Sequence, residues 1–99
     1  MIKTVENDVM KLNLEDDLIA KNVKTLNMKL MDMMDEFDDV SEVVLDMATV
    51  KNIDSVGVTF VINLYKKVSD TGGNFRVVHS SEDIRQLFKL MKLEDFFDL

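Results

Sequence analysis

The sequence predicts an α/β domain with a mixed β-sheet of four to five strands and three to four helices. Two observations support this prediction. Short segments have apolar residues that alternate or run unbroken, as in strands, and longer segments repeat them at three- and four-residue steps, as in helices. The segments follow the order β-β-α-β-α-β-α. This order predicts an α/β domain in which the strands after the first helix are parallel to the strand before it and are joined by right-handed crossovers.

The composition is that of an ordinary folded protein. The 99 residues suffice for one domain, 1–99, and 46% of them are hydrophobic while 31% are charged. No apolar run approaches the roughly 18 residues of a membrane-spanning helix, and the N-terminus has no signal-like apolar core, so we expect a cytoplasmic protein without membrane contacts. The net charge of -7 disfavours direct binding to nucleic acid. The chain has no cysteine, which excludes thiol chemistry and disulfides.

The first half of the chain predicts a hairpin followed by a helix and a central strand. Residues 9–14 alternate apolar and polar side chains, and a shorter strand over residues 2–5 is expected to pair with them across residues 6–8. An amphipathic helix is predicted over residues 20–37. Residues 42–47 contain an unbroken apolar run, which predicts a strand in the middle of the sheet.

The second half predicts two more helices around a strand. One helix begins at Ser55 or Val56 and ends at Asp70, where Gly72 and Gly73 provide a left-handed stop. A strand is predicted over residues 74–79. A third helix is predicted from a capping-box-like start at Ser80 and Asp83, while residues 94–99 receive no assigned element. The apolar positions of that third helix are Ile84, Leu87, Phe88 and Met91.

The most informative segment is Asp54-Ser55-Val56-Gly57, at the expected start of the second long helix. The first N–H groups of a helix have no partners within it, and the helix dipole favours negative charge there. One interpretation is therefore a simple N-cap by Asp54 or Ser55. The other is a phosphorylation switch at Ser55, and the residues alone leave both open.

Helical projection places Val56 away from the apolar side of that helix. It shares a face with Thr59, Asn63, Lys67 and Asp70, opposite the apolar stripe. An exposed valine beside Ser55 suggests a contact surface, although isolated exposed apolar residues are common and the first turn could be covered by loops.

Beyond these patterns, the chain resembles the bacterial STAS domain of anti-sigma-factor antagonists (anti-anti-sigma factors). The resemblance is carried by residues 43–47, by Ile53 through Gly57, by Tyr65-Lys66-Lys67, by Gly72-Gly73, and by Leu87, Phe88 and Leu93. It covers nearly the whole chain in the right order, and it implies a single STAS-like domain.

The resemblance implies a partner-switching regulator of transcription and not an enzyme. In that family the serine after the aspartate, here Ser55, is phosphorylated by an anti-sigma factor serine kinase, and a PP2C-type phosphatase reverses this. The unphosphorylated form binds the anti-sigma factor and frees the sigma factor. We expect no cofactor or metal, and a monomer or weak dimer. The expected partner-binding residues are Asp54, Ser55, Val56, Gly57, Thr59 and Asn63.

The chain departs from the family pattern at four positions. The family usually has Gly-x-Leu-Asp after the second strand, where this chain has Asp16-Asp17-Leu18-Ile19. Ile19 thus replaces an aspartate expected near the phosphoserine. Two further family glycines are replaced by Thr59 and Lys92.

Three alternatives compete with this interpretation. The acids Asp16, Asp17 and Asp46 resemble the Mg²⁺ pocket of a phospho-aspartate receiver, with Asp46 as acceptor, but only one helix fits between Asp17 and Asp46. STAS domains also regulate anion transporters, stress-signalling complexes and lipid-trafficking assemblies. The third alternative is an enzyme of another kind that uses His79, the single histidine. No nucleophile can be combined with it into a catalytic set, so we interpret His79 as a structural or surface residue.

Methionines are concentrated on the first helix and suggest either a soft binding surface or core packing. Their positions favour packing for Met31, Met33 and Met34, with only Met28 exposed.

Overall fold

A four-stranded mixed sheet is the frame of the protein in the computed structural model, which describes residues 1–99. The sheet order is β1-β2-β3-β4, with β1 antiparallel to β2 and the other neighbours parallel. The predicted order of elements is confirmed, and β3 lies inside the sheet as predicted. The strands are β1 (Ile2–Glu6), β2 (Val9–Asn13), β3 (Glu42–Asp46) and β4 (Asn74–Val78). The helices are α1 (Ala20–Met33), a 3₁₀ helix (Met34–Asp39), α2 (Ser55–Asp70), α3 (Glu82–Leu90) and α4 (Glu94–Phe97).

The predicted hairpin between β1 and β2 is confirmed. The strands are joined by Asn7 and Asp8, which have φ angles of 51° and 69°. Asparagine and aspartate tolerate this left-handed region, and two such residues in succession match the twist of a tight hairpin.

The prediction of one continuous helix over residues 20–37 is wrong, because α1 ends at Met33 and a 3₁₀ helix follows it. Acidic side chains, including Asp35 and Glu36, crowd the segment after Met33. Negative charge is unfavourable at the C-terminus of an α-helix, where the dipole is also negative. The tighter 3₁₀ turn still buries Phe37, which is 1% exposed.

The prediction that Met31 and Met34 pack in the core is also wrong. Met31 is 72% exposed because it lies at the margin of the apolar arc, more than a quarter turn from the buried residues Leu26 and Leu30. Met34 is 37% exposed because the helix type changes there and the 3.6-residue period no longer applies. Met28 is 63% exposed, as predicted.

The core lies between one face of the sheet and the helices. Inward strand residues such as Leu12 and Leu45 pack against buried residues of α1 and α2, among them Leu30 and Leu64. The predicted stop of α2 is confirmed, since Gly72, which follows the C-cap residue Thr71, has a φ of 81°. None of the helices has both the length and the apolar character needed to cross a bilayer.

The cap of the third helix lies one residue later than predicted, and α3 begins at Glu82. The Ser81 hydroxyl, and not that of Ser80, accepts a hydrogen bond from the Ile84 N–H at 3.3 Å. The left-handed conformation of His79, with a φ of 60°, turns the chain sharply after β4 and leaves Ser80 in the loop. Within α3, Ile84 and Phe88 are buried, whereas Met91 at its end is 45% exposed.

The unassigned tail forms α4 and closes one side of the core. Phe97 is fully buried, with its ring edge-to-face against Phe88 at 5.1 Å and Phe75 at 5.8 Å between centroids. Lys92, at a position where the family has glycine, takes a φ of 60° between α3 and α4. A left-handed conformation costs roughly 1–2 kcal/mol for a residue with a Cβ, so the tail packs in spite of local strain.

Two loops meet at the carboxyl end of the sheet and fix the start of α2. The Leu18 N–H donates to the Asn52 carbonyl at 3.1 Å, and the Asp54 N–H donates to the Leu18 carbonyl at 3.2 Å. Gly57 lies directly against this contact. A Cβ at Gly57 would overlap the Leu18 carbonyl oxygen and lie 2.9 Å from Cγ1 of Ile53.

The Gly57→Ala variant should therefore be strongly destabilised. Its Cβ meets backbone atoms, which cannot rotate away, so we expect the free energy of unfolding to fall by about 2–3 kcal/mol. Thr59→Ala is the matched control, since Thr59 is exposed on the same helix, and it should change stability by about 0.5 kcal/mol or less. Urea denaturation followed by circular dichroism measures both, and equal stability of the two variants would contradict the close contact at Gly57.

Asp46 is the buried charged residue of the fold, 7% exposed at the end of β3. Its carboxylate accepts from the Ala48 N–H at 2.9 Å and pairs with Lys11 Nζ at 3.2 Å and His79 Nδ1 at 3.0 Å. Burial opposes ionisation, but the hydrogen bonds from Ala48, His79 and Lys11 outweigh it, and the pKa of Asp46 lies below its ordinary value of 3.8.

Because the folded pKa is depressed, the charge of Asp46 stabilises the protein above about pH 4, and this contribution is lost as the pH falls through the folded value. Asp46→Asn should lower the free energy of unfolding by about 1–2 kcal/mol near pH 5. The difference from the unsubstituted protein should shrink near pH 3, in urea titrations at both pH values. A difference that is the same at both pH values would contradict the depressed pKa.

Candidate functional site at the start of helix α2

Asp54 is the N-cap of α2, which resolves the choice between Asp54 and Ser55. Its backbone is extended, its Oδ1 accepts from the Gly57 N–H at 2.9 Å, and its carbonyl accepts from the Val58 N–H at 3.0 Å. Ser55 is therefore the first helical residue, and its side chain is exposed. The cap does not use the Ser55 hydroxyl, so that group is available to another molecule.

The second oxygen of Asp54 reaches a different helix. Oδ2 accepts from the N–H of Ala20, the first residue of α1, at 2.9 Å. Hydrogen bonds from the Gly57 and Ala20 N–H groups hold the pKa of the Asp54 carboxyl below its ordinary value. This carboxylate is thus ionised at neutral pH and lies between two positive helix ends.

Asp17 fastens the neighbouring loop. Its carboxylate accepts from the backbone N–H of Lys51 at 2.8 Å and from both the backbone N–H and side-chain amide of Asn52, at 3.1 and 2.9 Å. The Asn52 side chain and the two N–H groups lower the pKa of Asp17. Sequence reasoning missed this role and the bond from Asp54 to Ala20. The available signal was Ile19, which cannot cap the helix that follows it and so implies an acceptor from elsewhere.

The exposed side of α2 carries most of the predicted partner-binding residues. Val56 is 42% exposed, as its helical position predicted, and Thr59 and Asn63 are exposed as well. The Thr59 hydroxyl donates to the Ser55 carbonyl at 2.9 Å. Gly57 is instead buried, where it permits the contact with Leu18. Four predicted residues thus lie on the surface together, while Asp54 and Gly57 hold them in position.

A shallow apolar groove runs beside Ser55 between α2 and α3. Its volume is about 360 Å³, and its walls are mainly aliphatic or thioether side chains. A groove of this kind can receive an apolar side chain from another protein. Its lining includes Ile53, Ser55, Val58, Ile62, Leu87 and Met91.

The acidic pocket of a receiver domain does not form. Asp17 is bonded to Lys51 and Asn52, whereas Asp46 is paired with Lys11 and His79. The acids do not converge, and the structure holds no group of three or more acidic or histidine side chains placed to bind a metal ion. The receiver interpretation with Asp46 as acceptor is therefore wrong for this fold. His79 lies on the surface, with its ring 64% exposed and Nδ1 paired to Asp46, which agrees with the structural or surface interpretation.

Two solved structures share this fold. A candidate anti-sigma factor antagonist from Thermotoga maritima superposes with a TM-score of 0.85 at 22% identity, covering 95% of this chain and 80% of that one. The anti-sigma factor antagonist SpoIIAA in its unphosphorylated form gives a TM-score of 0.69 at 17% identity, covering 87% of this chain and 77% of that one. At these identities the likeness concerns the fold, and it confirms the STAS-like architecture.

Sequence comparison extends the likeness. The anti-sigma-B factor antagonist of Bacillus subtilis strain 168 is 26% identical over 98 residues, which is 99% of this chain and 86% of that protein. The sequence model of the STAS domain matches residues 1–99. This chain therefore belongs to the STAS domain family.

Proposed function

We propose that this protein is an anti-sigma factor antagonist that acts by partner switching, with Ser55 as its phosphorylation site. In the unphosphorylated form it binds an anti-sigma factor that is also a serine kinase, and the sigma factor is freed. In the phosphorylated form it releases that partner, and a PP2C-type phosphatase restores the hydroxyl. The observation that carries this proposal is Ser55 itself, exposed and outside the cap in a member of the STAS family.

The phosphorylation step requires only the serine hydroxyl from this chain. The Ser55 oxygen bonds to the γ-phosphorus of ATP, the bond between that phosphorus and ADP breaks, and the hydroxyl proton passes to a base of the kinase. In the reverse step, water attacks the phosphorus, and inorganic phosphate and the serine hydroxyl are formed. The catalytic groups belong to the kinase and the phosphatase, so this protein is a substrate and a binding partner.

The surroundings of Ser55 suit a phosphate in the free protein. The positive end of the helix dipole at the start of α2 favours a negative group there. Ser55 is exposed, so the added phosphate does not need to displace core residues. The free protein therefore accepts the modification without unfolding.

The same phosphate is unfavourable against a partner. It adds about -1.5 to -2 charge beside the ionised Asp54, in a chain whose net charge is already -7. A partner that covers Val56 and the groove beside Ser55 would have to accommodate this bulk and desolvate this charge. Each 1.4 kcal/mol of such a penalty weakens binding about tenfold, so a few kcal/mol suffices to release the partner.

The partner-binding surface in this proposal consists of Ser55, Val56, Thr59 and Asn63, supported from below by Asp54 and Gly57. The acidity of the chain disfavours contact with DNA, so its effect on transcription passes through protein partners. We place the protein in the cytoplasm, where sigma factors act.

Substitutions at Ser55 test the proposal by isothermal titration calorimetry with the anti-sigma factor serine kinase of the same organism. Ser55→Ala should bind within about twofold of the unsubstituted protein, because it removes only the hydroxyl, and should take up no phosphate. Ser55→Asp should bind at least about tenfold more weakly, because it places a permanent charge in the interface.

Ser69→Asp is the matched control, since it makes the same change at an exposed position near the other end of α2. It should bind like the unsubstituted protein. Equal weakening by Ser55→Asp and Ser69→Asp would remove the start of α2 from the interface. Stoichiometric phosphorylation of Ser55→Ala would assign the modification to another residue.

A further inference from the structure

The residue that caps α2, Asp54, also supplies the hydrogen-bond acceptor for the start of α1. Ile19 precedes α1 with an extended backbone, and its side chain has no oxygen to offer. The Ala20 N–H donates instead to Asp54 Oδ2 at 2.9 Å, while Asp54 Oδ1 accepts from Gly57 at the same distance. A single carboxylate therefore holds the first turns of α1 and α2.

The polar side chains nearest to α1 in sequence are engaged elsewhere. The Asp17 carboxylate is occupied by Lys51 and Asn52, and the side-chain amide of Asn22 donates to the Asp17 carbonyl at 2.8 Å. Asp54 is thus the side chain that satisfies the first N–H group of α1. A change in the position of its carboxylate must therefore alter the hydrogen bonding of the first turn of α1 as well as that of α2.

Ser55 is covalently adjacent to this carboxylate. A phosphate on its hydroxyl brings additional acceptor oxygens to the first turn of α2, whose N–H groups are the donors that an acceptor there can reach. Asp54 already uses the Gly57 N–H, so the phosphate and the carboxylate compete for it. The two anions also repel each other at this short separation.

We infer that Asp54 couples the state of Ser55 to helix α1: a phosphate on Ser55 displaces the Asp54 carboxylate, breaks its bond to Ala20 and uncaps the first turn of α1. This inference rests on the proposed function, because it takes Ser55 as the modified residue. Ala20 and Lys21 are exposed beside this junction. The partner therefore meets two changes on phosphorylation, a new charge on α2 and a loosened first turn of α1.

The test compares the protein carrying serine at position 55 with the protein into which phosphoserine has been incorporated at that position during translation. Hydrogen exchange of backbone amides, followed by NMR, reports on each helix start. We expect exchange of the Ala20 amide, and of the Val23 amide that makes the first turn of α1, to become about tenfold faster with phosphoserine. Unchanged exchange at both amides would overturn the inference.

Two substitutions of Ile19 separate coupling through Asp54 from a general effect of charge. Ile19→Asn supplies α1 with its own uncharged cap, whereas Ile19→Ala removes a similar amount of apolar side chain and supplies none. With phosphoserine, Val23 exchange should accelerate about tenfold in Ile19→Ala and less than about twofold in Ile19→Asn. Equal acceleration in the two variants would overturn the coupling.

No kinase is used in this experiment, so its result is independent of which residue a kinase modifies. If a kinase phosphorylates another residue, the proposed function fails, whereas the coupling between position 55 and α1 is judged by exchange alone.

Discussion

The Asp54 carboxylate and the close backbone contact beside it are the constraint on which the rest of the site depends. The Asp54 carboxylate accepts hydrogen bonds from first-turn N–H groups of two helices, and Gly57 lets the Leu18 carbonyl approach the start of α2 closely enough to join the two loops at the carboxyl end of the sheet. Polar backbone groups at a helix start need partners, and a side chain at position 57 would prevent the contact. The start of α2 is therefore rigid, although it lies at the surface.

Rigidity at this place has a functional consequence. Because Asp54 supplies the cap, the Ser55 hydroxyl is not needed at the start of α2, and in the proposed function it can be phosphorylated without loss of the fold. In that function the partner buries the adjacent valine and the apolar groove, and the ionised Asp54 carboxylate is the negative neighbour of the added phosphate. In the proposed function, one surface of a small domain thus has two very different affinities, and the difference comes from the charge and desolvation of the phosphate together with the loosened first turn of α1.

The sequence predicted the parts of this structure that depend on local pattern. The apolar run of β3, the stop at Gly72 and the exposed position of Val56 all follow from periodicity or from backbone preference, and they were correct. The errors came from competition between local effects: acidic residues after Met33 converted the expected helix to a 3₁₀ turn, which exposed Met34, and the turn at His79 moved the cap to Ser81. The bond from Asp54 to Ala20 joins residues 34 positions apart, and only the fold brings them together.

In the proposed function Ser55 is the residue that is phosphorylated, and its hydroxyl is available because Asp54 caps α2 in its place. The most direct measurement is mass spectrometry of the intact protein and its peptides after incubation with the anti-sigma factor serine kinase and Mg²⁺-ATP. We predict one phosphate for each chain, located on Ser55. A phosphate on Ser41, Ser80 or another residue, or no phosphate at all with a kinase that binds and hydrolyses ATP, would contradict this assignment.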